Sequence, residues 1–455
     1  MGFAVGVSRR VITPPWGVEL AGLGYYLQRT WKTIRDDLAA TAMVVTDDDA
    51  NSVALVAMDL MYNDQDFTRC IRELAAAHTD IRPEAICVNC SHSHNAPTAG
   101  LIRGGGEVDA EYLSFAARQA ATAVVMAWHN RQPAKLFAGW SDLSGVTYNR
   151  TRDGGPVDTR VSVLRADRAG GQPLAVAVNF HAHPCAHTQE NYRAVSRDVP
   201  GEMVDQLESA LPGATVMYLQ GTAGDVNFHR DSPEPHRRMA PGRALTGVAL
   251  EALALARPLE RPGVKAISRS VSLPTRRWTR DEVMRDREEG LHRLRTGDTT
   301  GWLEGIARVV VNVPERLPAR YDGSVERTVA AVSRFAVEWT DQILPDLDTR
   351  PESLETEVQA LRIGDAYFAA HPAELFSTLG FELRRRWLHE DLFILGYSNA
   401  RIGYMPDAYD IQRNTYAAVT SPRFTGQFPF TAESGSVFID ALNGVLQETD
   451  TYENH

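Results

Sequence analysis

A strand-like run leads directly into two histidines in the segment Ile86-Cys87-Val88-Asn89-Cys90-Ser91-His92-Ser93-His94-Asn95-Ala96-Pro97. A short apolar run that ends in polar residues is typical of a buried strand that gives way to a loop. His92 and His94 are alternate residues, so on an extended backbone their side chains point to the same side. The segment therefore predicts a core strand that brings two imidazole rings to one cavity at a sheet edge.

A second segment repeats this arrangement, because Leu174-Ala175-Val176-Ala177-Val178 is followed by His181 and His183. A lone histidine in such a place is usually a hydrogen-bonded structural residue, but two His-x-His pairs at equivalent strand ends favour a metal site. A carboxylate, Glu374, follows a third apolar run. We expect Glu374 in the first turn of a helix, where taken singly it would only complement the helix dipole.

A glycine-rich loop follows another strand and reads Gly221-Thr222-Ala223-Gly224-Asp225-Val226-Asn227. It lacks the Lys-Ser/Thr ending of a phosphate-binding loop. Two interpretations stay open at this point. The loop is either a tight turn that carries an aspartate or one wall of the active site.

Short apolar, β-branched runs alternate along the chain with longer runs of helical spacing. The expected strands are Ala40-Thr46, Val53-Met58, Ala85-Cys90, Arg160-Leu164, Leu174-Phe180, Ala214-Leu219, Thr356-Ile363 and Leu392-Gly396. The expected helices are Phe67-Ala77, Ala110-Trp128, Gly201-Ala210, Pro241-Leu255, Arg280-Arg295, Val325-Ile343 and Ala373-His389. This alternation predicts an α/β fold with a large mixed sheet flanked by helices, as a single domain over residues 1–455. A charged segment at about 275–350 predicts a helical excursion that caps the sheet or, alternatively, lids the substrate pocket.

Composition excludes several classes of function. The formal net charge of -11 argues against non-specific binding to nucleic acid or to an anionic membrane, so we expect neither partner and no stable membrane association. No run approaches the roughly 18 apolar residues of a membrane span, and the first residues do not have the order of a secretory signal. The four cysteines, Cys70, Cys87, Cys90 and Cys185, are expected to be reduced thiols of a cytoplasmic protein. The sequence does not indicate an oligomeric state.

Several short motifs occur in one order along the chain. They are Ile12-Thr13-Pro14-Pro15, His92-Ser93-His94-Asn95-Ala96-Pro97, Asn149-Arg150-Thr151, His183 with Ser196-Arg197-Asp198, Pro372-Ala373-Glu374, and Tyr404 with Tyr416 twelve residues later. Each motif is weak alone. In this order, and over nearly the whole chain, they resemble the neutral/alkaline ceramidase family.

The resemblance implies a catalytic site with assigned roles. It implies a zinc ion held by His92, His183, Glu374 and Tyr404, which activates a water molecule. It implies that His94 acts as general base and then as acid to the leaving amine. Arg150 and Tyr416 would donate hydrogen bonds to the developing oxyanion or the acyl carbonyl, and Asp198 and Asp225 would orient the histidines.

The sequence departs from the family pattern in three ways. Asn227 stands where the family has a serine, so an acyl-enzyme at this position is excluded, although the amide could still hydrogen-bond the substrate. We expect neither the C-terminal immunoglobulin-like domain nor the secretion signal of typical ceramidases. These departures disfavour lipids in a bilayer as substrates.

The sequence therefore predicts a zinc-dependent hydrolase that cleaves the amide bond of a small N-acyl compound. Two alternatives stay open. The scaffold could be an esterase or an acyl-rearranging, cyclising enzyme of a specialised pathway, which the Asn227 replacement keeps plausible. It could also be a catalytically silent binding protein, although all the proposed metal ligands, Arg150 and Tyr416 are retained.

Overall fold

The computed structural model describes residues 2–189, 191–229, 240–309 and 313–451. Its strands are β1 (Phe3–Val11), β2 (Thr33–Ile34), β3 (Ala39–Thr46), β4 (Ser52–Met58), β5 (Ile86–Cys90), β6 (Gln132–Asp142), β7 (Thr147–Asn149), β8 (Arg160–Arg168), β9 (Pro173–Phe180), β10 (Ala194–Val195), β11 (Thr215–Gln220), β12 (Val226–Phe228), β13 (Arg257–Pro258), β14 (Val264–Pro274), β15 (Ser353–Ile363), β16 (Ala366–Ala370), β17 (Glu374–Leu375), β18 (Leu392–Leu395) and β19 (Tyr404–Met405). Its α-helices are α1 (Gln65–Ala76), α2 (Ala110–His129), α3 (Asp198–Ala210), α4 (Ala240–Leu255), α5 (Arg280–Thr296), α6 (Val325–Ile343), α7 (Ser377–Arg386), α8 (Ala408–Gln412), α9 (Ser421–Thr425) and α10 (Ser434–Asp450).

A nine-stranded mixed sheet forms the centre of the described structure. Its strand order is β11-β9-β8-β6-β1-β3-β4-β5, with β13 paired to β6. The β9–β11 and β4–β5 pairs are parallel, whereas the strands between them are antiparallel. Helix α2 packs on β1 and β3, and α4 packs on β6 and β8. The predicted α/β fold with a large mixed sheet flanked by helices is confirmed.

A four-stranded sheet of order β14-β15-β16-β18 adjoins the large sheet. Side-chain amides join the two sheets at the carboxyl ends of their strands. The Asn89 amide on β5 donates to the carbonyl oxygens of Gln220 and Gly396, and its Oδ1 accepts from the Gln220 N–H. Asn179 on β9 likewise donates to the carbonyls of Leu219 and Ile394. These bonds bring the carboxyl ends of β5, β11 and β18 to one place.

The segment between β14 and β15 is the predicted helical excursion. It contains α5 and α6, and its buried side chains form a core of their own that includes Trp278, Phe335 and Trp339. Tyr25 from the N-terminal loop belongs to the same core and accepts a hydrogen bond from the Tyr321 hydroxyl at its carbonyl oxygen. The excursion therefore packs against the loop before β2 rather than standing apart.

One expectation about the elements was wrong, and three strands were not predicted at all. The helix expected at Ala373-His389 covers only Ser377–Arg386, because Glu374 and Leu375 form a short strand paired with Tyr404 and Met405. Three long strands, β1, β6 and β14, were not expected, since each exposes part of its length and lacks a continuous apolar run. Among the described helices, none combines the length and the apolar content that crossing a bilayer requires.

Candidate active site

Loops at the carboxyl ends of two strands, β5 and β9, bring His92, His94 and His183 together. One ring nitrogen of each lies within 4.8 Å of the others. The Nε2 atoms of His92 and His94 are 3.3 Å apart. His92 has a φ of 66°, a left-handed backbone conformation that is uncommon outside glycine. Such conformations are concentrated at functional sites, where the surrounding structure maintains them.

A backbone carbonyl fixes the orientation of each ring. The Nδ1 atoms of His92, His94 and His183 lie 2.9, 3.0 and 2.5 Å from the carbonyl oxygens of Met61, Gly22 and Ala223, respectively. Because a carbonyl oxygen can only accept, each Nδ1 carries the proton. Each neutral ring therefore presents the lone pair of its Nε2 to the common centre, as a metal ligand must.

The contact between His94 and the carbonyl oxygen of residue 22 requires a glycine at that position. Its φ is 88°, and a Cβ atom there would lie 2.6 Å from the Nδ1 atom of His94. Only glycine combines that backbone conformation with so close an approach. The N-terminal loop is therefore part of the site wall.

Glu374 lies beside the histidines and its carboxylate is the fourth group at the centre. Its Oε2 is 3.1 Å from Nε2 of His183 and 3.4 Å from Nε2 of His92. The Tyr62 hydroxyl donates to Oε1, and the Tyr397 hydroxyl lies 3.5 Å from Oε2. Glu374 lies in β17, before the first residue of α7, and not in the first turn of that helix. Its carboxylate therefore does not serve to complement the helix dipole.

Tyr404 and Arg150 close one side of the cluster. Pairing of β17 with β19 places Tyr404 opposite Glu374, and the Tyr404 hydroxyl is 3.5 Å from Nε2 of His183. Arg150 donates to that hydroxyl at 2.5 Å and to the Gly224 carbonyl at 2.8 Å. The Tyr416 ring lies edge-on to Tyr404, with centroids 6.0 Å apart.

The glycine-rich loop forms a wall of the site, which decides between the two interpretations left open by its sequence. Its carbonyls at Ala223 and Gly224 hold His183 and Arg150, and a Cβ atom on Gly224 would lie 2.4 Å from the Glu374 carbonyl oxygen. Asp225 accepts from the Asn149 amide at 2.7 Å, next to Arg150, and from the Ser377 hydroxyl at 2.8 Å.

Asn227 and Asp198 contact the loop that carries His183. Asn227 forms a β-bridge with His183, and its Oδ1 lies 3.8 Å from the Cys185 sulfur. Asp198 accepts from the N–H groups of Ala186 and His187, so it holds the loop after His183 and not the imidazole ring itself.

Burial controls the charge of the cluster. Burial lowers the pKa of His92 to about 3 and moves that of His94 well below its ordinary value, so both rings are neutral near pH 7. Burial also opposes the charge of Arg150, but Tyr404 and Glu374 outweigh it and raise the Arg150 pKa. The result is a buried centre with neutral imidazole donors, one carboxylate and one guanidinium.

These donors suit a divalent metal ion. Two ligands that share a tetrahedral ion at about 2.0–2.1 Å lie roughly 3.3 Å from each other. The separations His92–Glu374, His183–Glu374 and His183–Tyr404 are 3.4, 3.1 and 3.5 Å between donor atoms. Nitrogen donors with one carboxylate are the ligands that zinc prefers in catalytic sites.

Sequence reasoning missed Tyr62 and Tyr397. The Tyr397 ring lies 4.3 Å from the His92 ring between centroids, at a tilt of 33°, and the Tyr62 hydroxyl donates a hydrogen bond to Glu374. Both tyrosines follow the carboxyl end of a strand, β4 and β18 respectively, by a few residues. A position just after the carboxyl end of a strand indicated the histidines, and the same criterion would have indicated these two tyrosines.

Comparison of the sequence with protein-family profiles and with curated proteins gives no match in either case. Solved structures do match the fold. The structure of neutral ceramidase from Pseudomonas aeruginosa is 16% identical with a TM-score of 0.72, over 99% of this chain and 76% of that one. A ceramidase complexed with C2 is 17% identical with a TM-score of 0.71, over the same shares of the two chains. The predicted ceramidase-like fold is confirmed by these likenesses.

Proposed function

We propose that this chain is a zinc-dependent hydrolase that cleaves the amide bond of a small N-acyl compound. The observation that carries the proposal is the cluster of three imidazoles, each fixed through Nδ1 by a backbone carbonyl, around the Glu374 carboxylate. The reaction class is drawn from the likeness of the fold to ceramidase structures.

His92, His183, Glu374 and Tyr404 would hold the ion. When bound, zinc supplies Lewis acidity, which polarises an amide carbonyl and makes a water molecule acidic enough to react near neutral pH. Glu374 lies within 3.4 Å of both His92 and His183, so a single ion can bind all three side chains. Tyr404 completes the set from the side of Arg150.

His94 would move the proton. Its Nδ1 proton is held by the Gly22 carbonyl, so Nε2 is free to accept a proton from water and to return it to the leaving amine. The Nε2 atom of His94 lies 3.3 Å from Nε2 of His92, which is also the separation of two ligands of one ion. The metal content of a His94 variant therefore distinguishes a general base from a ligand.

Arg150 and Tyr416 would stabilise the charge that develops on the acyl oxygen. The Arg150 guanidinium is fixed by the Gly224 carbonyl before substrate binds, so no reorganisation is needed at the moment of reaction. Asp225 holds the neighbouring Asn149 and thereby positions Arg150, whereas Asp198 positions the loop that follows His183.

We further propose that residues 1–455 act as one catalytic unit in the cytoplasm on a substrate that is not embedded in a bilayer. The proposed ligands extend from His92 to Tyr404, which supports one unit. The net charge of -11 opposes binding to an anionic membrane surface.

An acyl rearrangement that joins the acyl group to a nucleophile of the substrate is the second candidate. Asn227 favours it, because its amide lies against Cys185 and supplies no hydroxyl nucleophile. Product mass separates the two reactions, since hydrolysis adds one water to the products and a cyclisation adds none.

The metal content of purified variants tests the proposal. We expect about one zinc per chain in the parent by elemental mass spectrometry, loss of the zinc in His183→Ala and Glu374→Ala, and its retention in His94→Ala. His78→Ala, which changes an exposed histidine, is the matched control. The His94→Ala protein should retain its metal while its amidase rate falls about 10²–10⁴-fold.

Three outcomes would change the assignment. Loss of zinc from His94→Ala would make His94 a ligand. No tightly bound metal in the zinc-supplemented parent would end the hydrolase proposal. A zinc-loaded parent that binds N-acyl amides without converting them would favour the silent binding protein.

A further inference from the structure

The histidine pair after β9 contains one ring that the proposed zinc site does not use. His181 and His183 are both fully buried, but only His183 belongs to the cluster of three imidazoles. The His181 ring lies against the glycine-rich loop instead. Its Nδ1 accepts a hydrogen bond from the Thr222 N–H at 3.0 Å, and the Thr222 hydroxyl lies 3.1 Å from the same atom. A role for this ring beyond packing therefore depends on what Thr222 holds in place.

The hydrogen-bond partners of the two rings give them opposite tautomers. Because a backbone N–H can only donate, Nδ1 of His181 carries no proton. The ring proton is therefore on Nε2, which lies 3.5 Å from Oδ2 of Asp158. Arg384 on α7 holds that carboxylate oxygen, with its Nε at 3.2 Å. In His183 the proton is on Nδ1, because that atom donates to the Ala223 carbonyl.

The two rings contact consecutive residues of one loop. His181 accepts from the N–H of Thr222, and His183 donates to the carbonyl of the next residue, Ala223. A Cβ atom on Gly221 would lie 2.1 Å from Nδ1 of His181, so only a glycine lets the loop approach this ring so closely. A displacement of Thr222 from the first ring would therefore also move the carbonyl that orients the second.

Helix α7 contacts the same loop. A Cβ atom on Gly380 would lie 2.9 Å from the Thr222 methyl carbon. The N–H and the hydroxyl of Ser377 both donate to Asp225 at 2.8 Å. The loop is thus fixed at Thr222 and at Asp225, and the carbonyl that orients His183 lies between these two residues.

We propose that His181 is a positioning residue of the metal site, which holds Thr222 and thereby directs the Ala223 carbonyl at Nδ1 of His183. The inference rests on the proposed function, because His181 acts through a proposed zinc ligand. An imidazole whose Nδ1–H bonds a fixed carbonyl has one orientation and a more basic Nε2. Without His181 the Thr222 N–H would be buried without an acceptor, and the loop would rearrange to supply one.

Two polar substitutions separate the two sides of the His181 ring. His181→Asn places an amide oxygen near the position of Nδ1, so the Thr222 N–H keeps an acceptor. His181→Gln reaches towards Asp158 instead and leaves the Thr222 N–H unpaired. We expect His181→Gln to weaken zinc binding about 10–100-fold and His181→Asn to weaken it less than about threefold. Competition with a chromophoric chelator measures both dissociation constants.

Val332→Ala in α6 is the control for a loss of stability alone. Its side chain is fully buried in the core of the excursion, so the variant should unfold more easily and bind zinc as the parent does. Urea unfolding of the metal-free proteins verifies that each variant is folded.

Nitrogen NMR of the metal-free parent, labelled at histidine, tests the same geometry without zinc. We expect His181 to be protonated at Nε2 and His183 at Nδ1. The spectra of His181→Asn and His183→Ala identify the two sets of signals. The same tautomer in both rings would overturn the inference, even if the variants at His181 fail to fold.

The outcomes separate this inference from the proposed function. Equal zinc affinity of His181→Asn and His181→Gln, or weaker binding by His181→Asn, would overturn the inference and leave the zinc site intact. A parent without tightly bound zinc would refute the proposed function. Opposite tautomers in that protein would still support the contact of both rings with the loop, and equal tautomers would refute this contact as well.

Discussion

At the scale of single residues, the Glu374 carboxylate shows how the site is held before any ligand binds. Burial leaves the Glu374 side chain about 1% exposed, where a carboxylate is stable only with several partners. Tyr62 donates to Oε1, which leaves Oε2 for the two histidines. A tyrosine that sequence reasoning did not select thus fixes a proposed metal ligand.

Tyr62→Phe should weaken zinc binding while leaving the fold intact. The variant keeps the ring but removes the donor that orients Glu374, and loss of such a partner typically costs about 10–100-fold in metal affinity. Competition with a chromophoric chelator measures the zinc dissociation constant. Tyr112→Phe is the control, because its hydroxyl donates to the Ile12 carbonyl. Equal zinc affinity of both variants and the parent would show that Tyr62 does not orient a metal ligand.

Asp59 makes stability depend on pH. Burial raises its pKa to about 6, against the charges of Arg197 and Arg9 and the Ala39 N–H. An unfolded aspartate has a pKa of about 3.9. The protein therefore binds this proton more tightly when folded, so the stabilisation is complete below about pH 4 and is lost as pH rises through 6.

Asp59→Asn should remove that dependence. The difference in unfolding free energy, parent minus variant, should fall by about 1–2 kcal/mol between pH 4.5 and pH 7.5, because only the parent carries the partly buried charge at high pH. Urea unfolding of both proteins at each pH gives the difference, in which the other titrating groups cancel. A difference independent of pH would contradict the assignment.

At the scale of elements, Asn89 joins strands that are far apart in the sequence. Its amide bonds both backbone groups of Gln220 on β11 and the Gly396 carbonyl after β18. Asn89→Ala leaves these buried groups without partners, and we expect a loss of about 2–4 kcal/mol in the free energy of unfolding. Asn130→Ala, at an exposed position after α2, should cost less than about 0.5 kcal/mol. Similar denaturant midpoints for the two variants would refute the role of Asn89.

Most of the strands that the sequence predicted are buried over most of their length. Strands β3 and β5 are buried at every residue and consist mainly of apolar residues. Strand β1 has only two fully buried residues and carries Arg9 and Arg10, so its membership of the sheet depends on pairing with β3 and β6. The start of α7 was missed for a similar reason, because the Glu374–Tyr404 pairing is a long-range contact.

The site was predictable to the extent that its side chains follow strand ends. That rule indicated His92, His94 and His183, and it applies equally to Tyr62 and Tyr397. The sequence could not predict that the carbonyls of Met61, Gly22 and Ala223 accept hydrogen bonds from the imidazole rings. Every residue has a carbonyl, and only the tertiary structure directs these three at the histidines. The hydrogen bonds of Asp198 and Asp225 also depend on the tertiary structure, so the sequence did not specify their partners.

At the scale of the whole molecule, zinc binding should be coupled to global unfolding. Glu374 lies 191 residues after His183, so the unfolded chain has no preformed site. Free zinc at 100 times its dissociation constant should stabilise the native state by about 2.7 kcal/mol and raise the melting temperature by several degrees. Calorimetry with zinc and with a chelator measures the shift. His183→Ala should show no shift, and an equal response of parent and variant would place the ion elsewhere.

The same separation of ligands has a consequence for biosynthesis. The ribosome releases His92 and His183 long before Glu374 and, 221 residues after His183, Tyr404. During most of translation the emerging histidines can offer an ion only an incomplete set of donors. The proposed zinc ion would therefore be acquired late, after β17 has paired with β19. A shortage of zinc would therefore act on the finished chain, by leaving it in its less stable metal-free form, and not on the early steps of its synthesis.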